Sequence, residues 1–275
     1  MASFNIVVDD FSSFTEQIAQ QWDSELGYRL VDVEYINESY VSVFVDNGQA
    51  NAYDTAADFT TLQGTIRGRW DQGYDIIDIE YIEDNWLAVF GDSPGISAYS
   101  WSDDLNGFAE ETQKLWDQGF DLVNIEYAAG NWVSIFGDNP GGSAYSTSGD
   151  LTGFIEAIEA RWDEGLDLLG VEYAEETWVG VFGEDSLTGS AYVYSGTAEE
   201  FVVAADDLRT EGYDIVDLEQ GEGVFFGVFE KNYGVSDGNP NPINCIICDD
   251  ALYDTYLDGF VESQTTASPF FSNLF

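Results

Sequence analysis

Hydrophobic and polar positions recur along this chain with a period of 46 or 47 residues. The segment at 70–92, WDQGYDIIDIEYIEDNWLAVFGD, is written again from Trp116 and from Trp162, and looser copies begin at Trp22 and Arg209. The same turn glycine appears in each copy, at Gly27, Gly73, Gly119, Gly165 and Gly212. A fixed period of this length is typical of repeated supersecondary units. The sequence therefore predicts five tandem repeats.

Each repeat begins with a helical pattern. An apolar residue and an aromatic residue lie eight positions apart, as Phe108 and Trp116 do, and this spacing places both on one face of a helix. A residue that can accept hydrogen bonds from the free N–H groups of the first turn precedes each pattern. The predicted caps are Asp10, Asp58, Asp104, Asp150 and Thr197.

Three strand patterns follow each helix. In the stretch DIIDIEY, apolar Ile77, Ile79 and Tyr81 alternate with Asp78 and Glu80, which predicts a strand with two distinct faces. The second strand places aromatic and small residues on one face, and a turn then leads to a short third strand that ends in Ala-Tyr. Tryptophans recur at two fixed positions of the repeat, so we predict that they form the core between neighbouring repeats.

We therefore predict an α+β repeat protein of five αβββ units closed into a propeller-like ring, with an open αβββ solenoid as the alternative. The N-terminal strand at 3–8 would replace a missing third strand of the fifth repeat. Pairing of the first and last segments would remove exposed sheet edges. The predicted repeats span about residues 10–54, 58–100, 104–146, 150–195 and 197–230.

The tail at 231–275 departs from the repeat pattern. It is predicted to contain a short helix at 250–263 and to make contacts through the apolar end PFFSNLF. The contact residues there are Phe270, Phe271 and Phe275. Cys245 and Cys248 form a lone CxxC, which provides half of the ligands of a structural zinc site. We expect a local disulfide or two inert thiols.

The sequence pattern formed by Trp70, Gly73, Tyr74 and Trp86 resembles an uncharacterised tandem repeat of bacterial proteins. The same repeat also follows the kinase domain of plant casein-kinase-I-like proteins. The resemblance covers about residues 10–230. This chain is more acidic than that family, and the 275 residues contain no kinase domain. The resemblance implies the repeat number and the fold, and it implies no activity.

Acidic side chains dominate the charge. The chain has 53 Asp and Glu against 7 Lys and Arg, no histidine and a formal net charge of −46. It should repel nucleic-acid phosphates, so we expect no nucleic-acid partner, and no apolar run is long enough for membrane insertion. Carboxylates at this density need cations from solution. Because the chain is rich in large aromatic residues, which halophilic proteins avoid, we favour Ca²⁺ over high salt.

The turns after the second strands are one predicted calcium site. Each combines carboxylate and neutral oxygens in a glycine-containing loop, and Ca²⁺ accepts six to eight oxygen ligands in irregular geometry. The alternative is a solvated polar turn. The candidate ligands are Asp46, Asp92, Asp138, Glu184 and Asp185.

A second candidate site is a glutamate that recurs in the first strand of every repeat. If these strands are innermost, the glutamates form an axial carboxylate ring, and only Arg29 lies near enough in sequence to offset their charge. They are predicted either to accept hydrogen bonds from backbone, Tyr and Trp groups or to line a cation site. The set is Glu34, Glu80, Glu126, Glu172 and Glu219.

The motifs of common enzymes are missing from the sequence: it has no histidine, nucleophile elbow, GxGxxG or P-loop. Five equivalent carboxylates also lack the two separated pKa values that acid–base catalysis needs. We predict a non-enzymatic, acidic structural or adhesive scaffold that assembles with itself or with other proteins and with divalent cations.

Two other functions stay open. One is a carbohydrate-binding module in which Trp101, which lies outside the two repeated tryptophan positions, stacks on a sugar. The other is an acidic nucleic-acid mimic that inhibits a basic partner. The start, MASFNIVVDDFSSF, lacks the basic and apolar regions of a secretory leader. We expect export without a leader to the extracellular space, with the cytoplasm as the alternative.

Overall fold

A computed structural model describes residues 3–8, 10–22, 28–36, 39–45, 51–92, 97–137, 142–184, 189–231 and 264–267. For residues 3–7, 45, 92 and 264–267 the description covers the backbone only. The residues of the predicted tail helix at 250–263, the two cysteines, and Phe270, Phe271 and Phe275 lie outside the described residues. No helix in the described part of the chain is long and apolar enough to cross a membrane.

Five repeated units of one helix and three antiparallel strands make up the fold. The helices are α1 (Phe11–Trp22), α2 (Phe59–Trp70), α3 (Leu105–Trp116), α4 (Leu151–Asp163) and α5 (Ala198–Thr210). The strands before the helices, here called outer strands, are β1 (Ser3–Val8), β4 (Asn51–Ala56), β7 (Ala98–Ser102), β10 (Ser143–Ser148) and β13 (Ser190–Ser195). The first strands after the helices, here called inner strands, are β2 (Arg29–Ile36), β5 (Tyr74–Ile82), β8 (Asp121–Ala128), β11 (Asp167–Ala174) and β14 (Tyr213–Gly221). The middle strands are β3 (Ser39–Val45), β6 (Asn85–Asp92), β9 (Asn131–Gly137), β12 (Thr177–Gly183) and β15 (Val224–Lys231).

Each unit forms its own sheet in the order outer, middle, inner, and none of the five sheets closes on itself. The unit is therefore βαββ, so the predicted αβββ boundaries are displaced by one strand. The predicted role of the N-terminal strand was also wrong. β1 pairs with β3 in the first sheet, and the fifth sheet has its own outer strand, β13. The reason is that every outer strand pairs with the middle strand that follows it, so no strand is missing from the fifth unit.

A further strand, β16 (Gln264–Ala267), pairs with the free edge of β13 in an antiparallel register. It makes the fifth sheet four-stranded. This strand lies in the tail that the sequence pattern separated from the repeats, and its backbone satisfies one outer edge of the sheet.

The predicted helix caps are confirmed. The carboxylate of Asp104 accepts a 2.7 Å hydrogen bond from the backbone N–H of Gly107, and the hydroxyl of Thr197 accepts one of 3.3 Å from Glu200 N–H. Asp10, Asp58 and Asp150 cap the other helices in the same way. These bonds satisfy donors that a helix start leaves free, and so the helix boundaries follow from local sequence.

Each helix packs on its own sheet, and the apolar cluster around it also contains residues of a neighbouring unit. Around α3, Phe108 and Trp132 of the third unit pack with Val179 and Val181 of the fourth. Equivalent clusters surround the other helices. The cluster around α5 contains residues of the first unit, namely Ile36, Val41 and Val43. Apolar burial therefore joins each unit to a neighbour, and it also joins the fifth unit to the first.

The simple alternation predicted for the inner strands was wrong at one point in each strand. The pairing register of β5 with β6 shifts between Ile76 and Asp78, and all five inner strands carry the same bulge. As a result Ile76 and Ile79 both pack in the cluster around α2, whereas Ile77 packs against the cluster around α1. A bulge inserts one unpaired residue and redirects the side chains that follow it. In β5 the unpaired residue is Ile77, and the residue that follows it is Asp78.

Candidate functional site

The inner strands contact one another in the order β2, β5, β8, β11 and β14, and β14 contacts β2. They bring together eight carboxyl groups, here called the axial cluster. Five are the repeated glutamates, Glu34, Glu80, Glu126, Glu172 and Glu219, and three are aspartates from the bulge position, Asp32, Asp78 and Asp217. The bulge position holds Asn124 in the third unit and Gly170 in the fourth.

The bulge aspartates link neighbouring units through the backbone. Asp78 Oδ2 accepts a 3.1 Å hydrogen bond from Val33 N–H of the preceding unit. Asp217 accepts from Val171 at 2.6 Å and Asp32 from Leu218 at 3.2 Å, while the amide of Asn124 donates to Ile77 O at 3.3 Å. In each case the side chain reaches the inner strand of the preceding unit, and that of the first unit reaches the fifth. Each of these bonds ties a side chain of one unit to the backbone of its neighbour, so together they fix the relative positions of the inner strands.

The fourth unit makes this link differently. A Cβ at Gly170 would lie 3.1 Å from both Asn124 Oδ1 and Asp217 Oδ2, so the side chains of its neighbours occupy the space of the missing carboxylate. Glu172 makes the link instead, because its Oε2 accepts a 2.9 Å hydrogen bond from Tyr127 N–H of the third unit.

The axial cluster places eight carboxyl groups close together in a part of the protein that has little contact with water. Seven of its members are buried, and Glu80 is partly buried. Burial is the main cause that raises the pKa of each group, and nearby carboxylates raise the pKa of most of them further. The pKa of Asp78 is raised to about 7 and that of Asp217 to about 8. Near neutral pH the cluster must retain protons or be neutralised by cations.

Basic side chains offset carboxylates elsewhere in the molecule. Arg69 pairs with Asp54, and ion pairs three residues apart join Lys114 to Glu111, Arg161 to Glu164 and Arg209 to Asp206. The guanidinium of Arg29, the residue expected to offset the glutamates, lies against Gly91, where a Cβ would overlap it. The largest electrostatic influences on the axial groups are instead other carboxyl groups.

The predicted axial glutamates are brought together by the structure. One carboxylate oxygen from each of Glu34, Glu80 and Glu126 lies within 4.8 Å of the other two. A second, overlapping group consists of Asp32, Glu34 and Asp217. Sequence reasoning missed the aspartates of the bulge position. The available signal was the acidic residue two positions before three of the repeated glutamates, as in DIEY, but the assumed alternation gave it no special role.

The predicted hydrogen bonds of the glutamates are present for backbone donors. Glu80 Oε2 accepts from its neighbour Tyr81 N–H at 3.2 Å, as Glu172 does from Tyr127. The tyrosine hydroxyls bond to other carboxylates, namely those of the turn residues Glu83 and Glu175, which they reach from the preceding unit.

The tryptophans at the helix ends form hydrogen bonds that connect neighbouring units. The indole N–H of Trp116 donates to Ser143 Oγ at 2.8 Å, and the same oxygen accepts from Leu122 N–H at 2.7 Å and lies 3.4 Å from Asp121. Trp70 with Ser97, and Trp162 with Ser190, make the same link from a helix end to the start of the next outer strand. The tryptophans of the middle strands, such as Trp132 and Trp178, are fully buried. The repeated tryptophans are therefore core residues.

The predicted calcium loops fall almost entirely outside the described residues. This holds for Asp46, Asp138 and Asp185 and for the side chain of Asp92. Glu184 is exposed, and its backbone N–H donates to Gly142 O at 3.3 Å. The loop sites stay a prediction.

Trp101 is the exposed aromatic residue that the sequence singled out. It lies on the outer strand β7, is 48 % exposed and stacks on Phe59 of α2, with ring centroids 4.4 Å apart and an interplanar angle of 12°. The exposed residues Asp103 and Asp104 follow it. This stack presents one flat ring to solvent beside acidic groups.

No protein-family model matches the chain, and a search of curated proteins finds no similar one. The resemblance to the tandem-repeat family therefore stays a prediction, and the function has to be argued from the geometry.

Proposed function

We propose that this protein is a non-enzymatic, acidic scaffold that assembles with itself or with other proteins. The observation that supports this proposal is that the repeated polar residues form hydrogen bonds between neighbouring units. The bulge aspartates and the Trp–Ser pairs are consumed in contacts between units. Because these side chains hold neighbouring units together, they make the molecule rigid. The surface residues then remain available to bind partners, as in other repeat proteins.

We further propose that the five units close into a ring. Support comes from the cluster around α5, which contains Val41 and Val43 of the first unit, and from the hydrogen bond between Leu218 and Asp32. The contact between β14 and β2 is of the same kind as those between successive inner strands. A ring held in this way does not need an exchanged N-terminal strand.

The surface of such a ring suits basic partners or partners bridged by divalent cations. Helix α4 exposes Glu156, Glu159 and Asp163, and α5 exposes Asp206 and Asp207. A surface of one charge attracts the opposite charge and keeps like copies apart unless cations intervene. Self-assembly should therefore need calcium, and the extracellular space is the compartment in which millimolar calcium is available.

The test is sedimentation of the full chain over a range of concentrations, in chelator and in calcium at equal ionic strength. We expect larger species in calcium for the wild type. Trp101→Ser should reduce them if the exposed stack is a contact, and Val203→Ser, at another exposed apolar position, is the matched control. A wild type that stays monomeric in calcium and captures no partner on a column of extracellular proteins would overturn the scaffold proposal.

Carbohydrate binding is the second candidate, and Trp101 is the observation that favours it. A flat, half-exposed ring that its neighbour holds in place suits stacking on a sugar face. A glycan array that gives a signal for the wild type and the Val203→Ser variant, but none for Trp101→Ser, would replace the scaffold proposal with this one.

A further inference from the structure

We propose that the carboxyl groups of Glu34, Glu80 and Glu126 bind one calcium ion at the centre of the five inner strands. These residues come from the first three units and lie at equivalent positions of β2, β5 and β8. The site differs from the predicted calcium loops, which follow the middle strands. It also stands independently of the scaffold proposal, because an ion at this position would stabilise the protein whatever its surface binds.

The geometry of the three glutamates fits a hard cation. Three oxygens that lie within 4.8 Å of one another surround a point at most about 2.8 Å from each. Calcium–oxygen distances are about 2.3–2.6 Å, so a small inward movement of flexible side chains would complete the contact. Glu80 also accepts from Tyr81 N–H, and Glu126 Oε1 accepts from the amide of Asn124 at 3.1 Å, and these bonds orient their carboxylates.

A second observation comes from Asp78, which is fully buried beside this group. Its Oδ2 accepts from Val33 N–H, but within the described chain no donor reaches its Oδ1. The carboxyl of Glu126 lies within hydrogen-bond reach of the Asp78 carboxyl, but it can donate only when it is protonated. A buried carboxylate oxygen without a donor costs free energy, and a bound cation, either directly or through a coordinated water, removes that cost.

The donor set selects the type of ion. The chain has no histidine, and carboxylate oxygens are the side-chain ligands available at the site. Oxygen-only sites suit calcium and magnesium rather than zinc or copper. Magnesium requires a nearly octahedral shell and retains several waters, whereas calcium tolerates irregular shells of carboxylates. Calcium is therefore the better fit.

The experiment is isothermal titration of CaCl₂ into the full chain after treatment with chelator, at neutral pH and physiological ionic strength. The test variant is Glu80→Gln/Glu126→Gln, which keeps shape and removes two charges. The matched control is Glu156→Gln/Glu159→Gln, which removes two charges from the exposed face of α4. We expect wild type and control to share the same tightest calcium-binding step, and the axial variant to lose at least tenfold of the affinity of that step.

A thermal melt with and without calcium gives a second readout, because an ion that binds only the folded state raises its melting temperature. Calcium should raise the melting temperature of the wild type and of the control by more than that of the axial variant, whose fold is checked by circular dichroism. Should the double variant fail to fold, Glu126→Gln replaces it with the same expected loss. Equal calcium binding in the axial variant would place the ion in the loops and overturn the proposal. The proposal would also be overturned if wild-type protein neither bound calcium nor changed its melting temperature in calcium. The cluster would then be neutralised by protons instead.

Discussion

The carboxylate of Asp32 accepts a 3.2 Å hydrogen bond from the backbone N–H of Leu218, which lies 186 positions further along the chain. Asp217, the neighbour of Leu218, makes the same type of bond to Val171 of the fourth unit. The bond between the first and last units therefore repeats the bonds between units that are adjacent in sequence. The contact between the first and the fifth unit therefore uses the same repeat positions as the contacts between successive units.

The first prediction concerns pH. Asp78 and Asp217 have folded-state pKa values of about 7 and about 8, while an unfolded Asp has about 3.9. Between these values the folded state binds more protons than the unfolded state. The free energy of unfolding should therefore be highest on the acid side of this interval and fall as pH rises from about 5 to about 8. Thermal melts in chelator at constant ionic strength measure this, and a melting temperature that rises over this range would contradict the raised pKa values.

Asp78→Asn should stabilise the protein in chelator at a pH of about 8. The amide oxygen can still accept from Val33 N–H, and the amide nitrogen can donate to Glu126, as that of Asn124 does at 3.1 Å. Removing a buried charge while keeping its hydrogen bonds should raise the free energy of unfolding by about 1–3 kcal/mol. Urea unfolding measures the gain, and Glu156→Gln on the exposed face of α4 is the control. An equal gain in both variants would mean that only the net charge matters.

Val43→Ala and Val89→Ala compare the two kinds of joint between units. Both side chains are fully buried on middle strands, Val89 against the cluster around α1 and Val43 against the one around α5. In a closed ring each substitution should lower the free energy of unfolding by about 1–2 kcal/mol, because each removes two buried methyl groups. Denaturant unfolding gives both values. In an open solenoid the face of Val43 would be solvated, and Val43→Ala would be nearly neutral while Val89→Ala stayed costly.

Trp132→Ala should lower the free energy of unfolding by about 3–5 kcal/mol, as expected for a large side chain in a packed core. Trp132→Phe should cost clearly less. The indole nitrogen of Trp132 has no hydrogen-bond partner in the described part of the chain. Replacing Trp132 with Phe therefore removes some packing volume but breaks no hydrogen bond of that nitrogen. Equilibrium unfolding of the two variants checks this order. A neutral Trp132→Ala accompanied by loss of glycan binding would instead assign the residue to a ligand site.

Local sequence was sufficient for the helices and for the tryptophan positions. A cap such as Asp104 acts on an N–H group three residues away, and Phe108 and Trp116 share a helix face because of the helical period alone. The alignment of the five glutamates could also be predicted, since equivalent residues of equal repeats occupy equivalent places.

The sequence by itself determined the number of units, their helices and the recurrence of Glu80 and its equivalents. Only the tertiary structure decided that the outer strand precedes its helix, that Ile76 and Ile79 share a face, and that Asp78 joins the glutamates at the centre. A linear pattern shows which residues are apolar, but not which strand edge pairs with which. It also cannot show where one residue stays unpaired, because a bulge is defined only by the register with the partner strand.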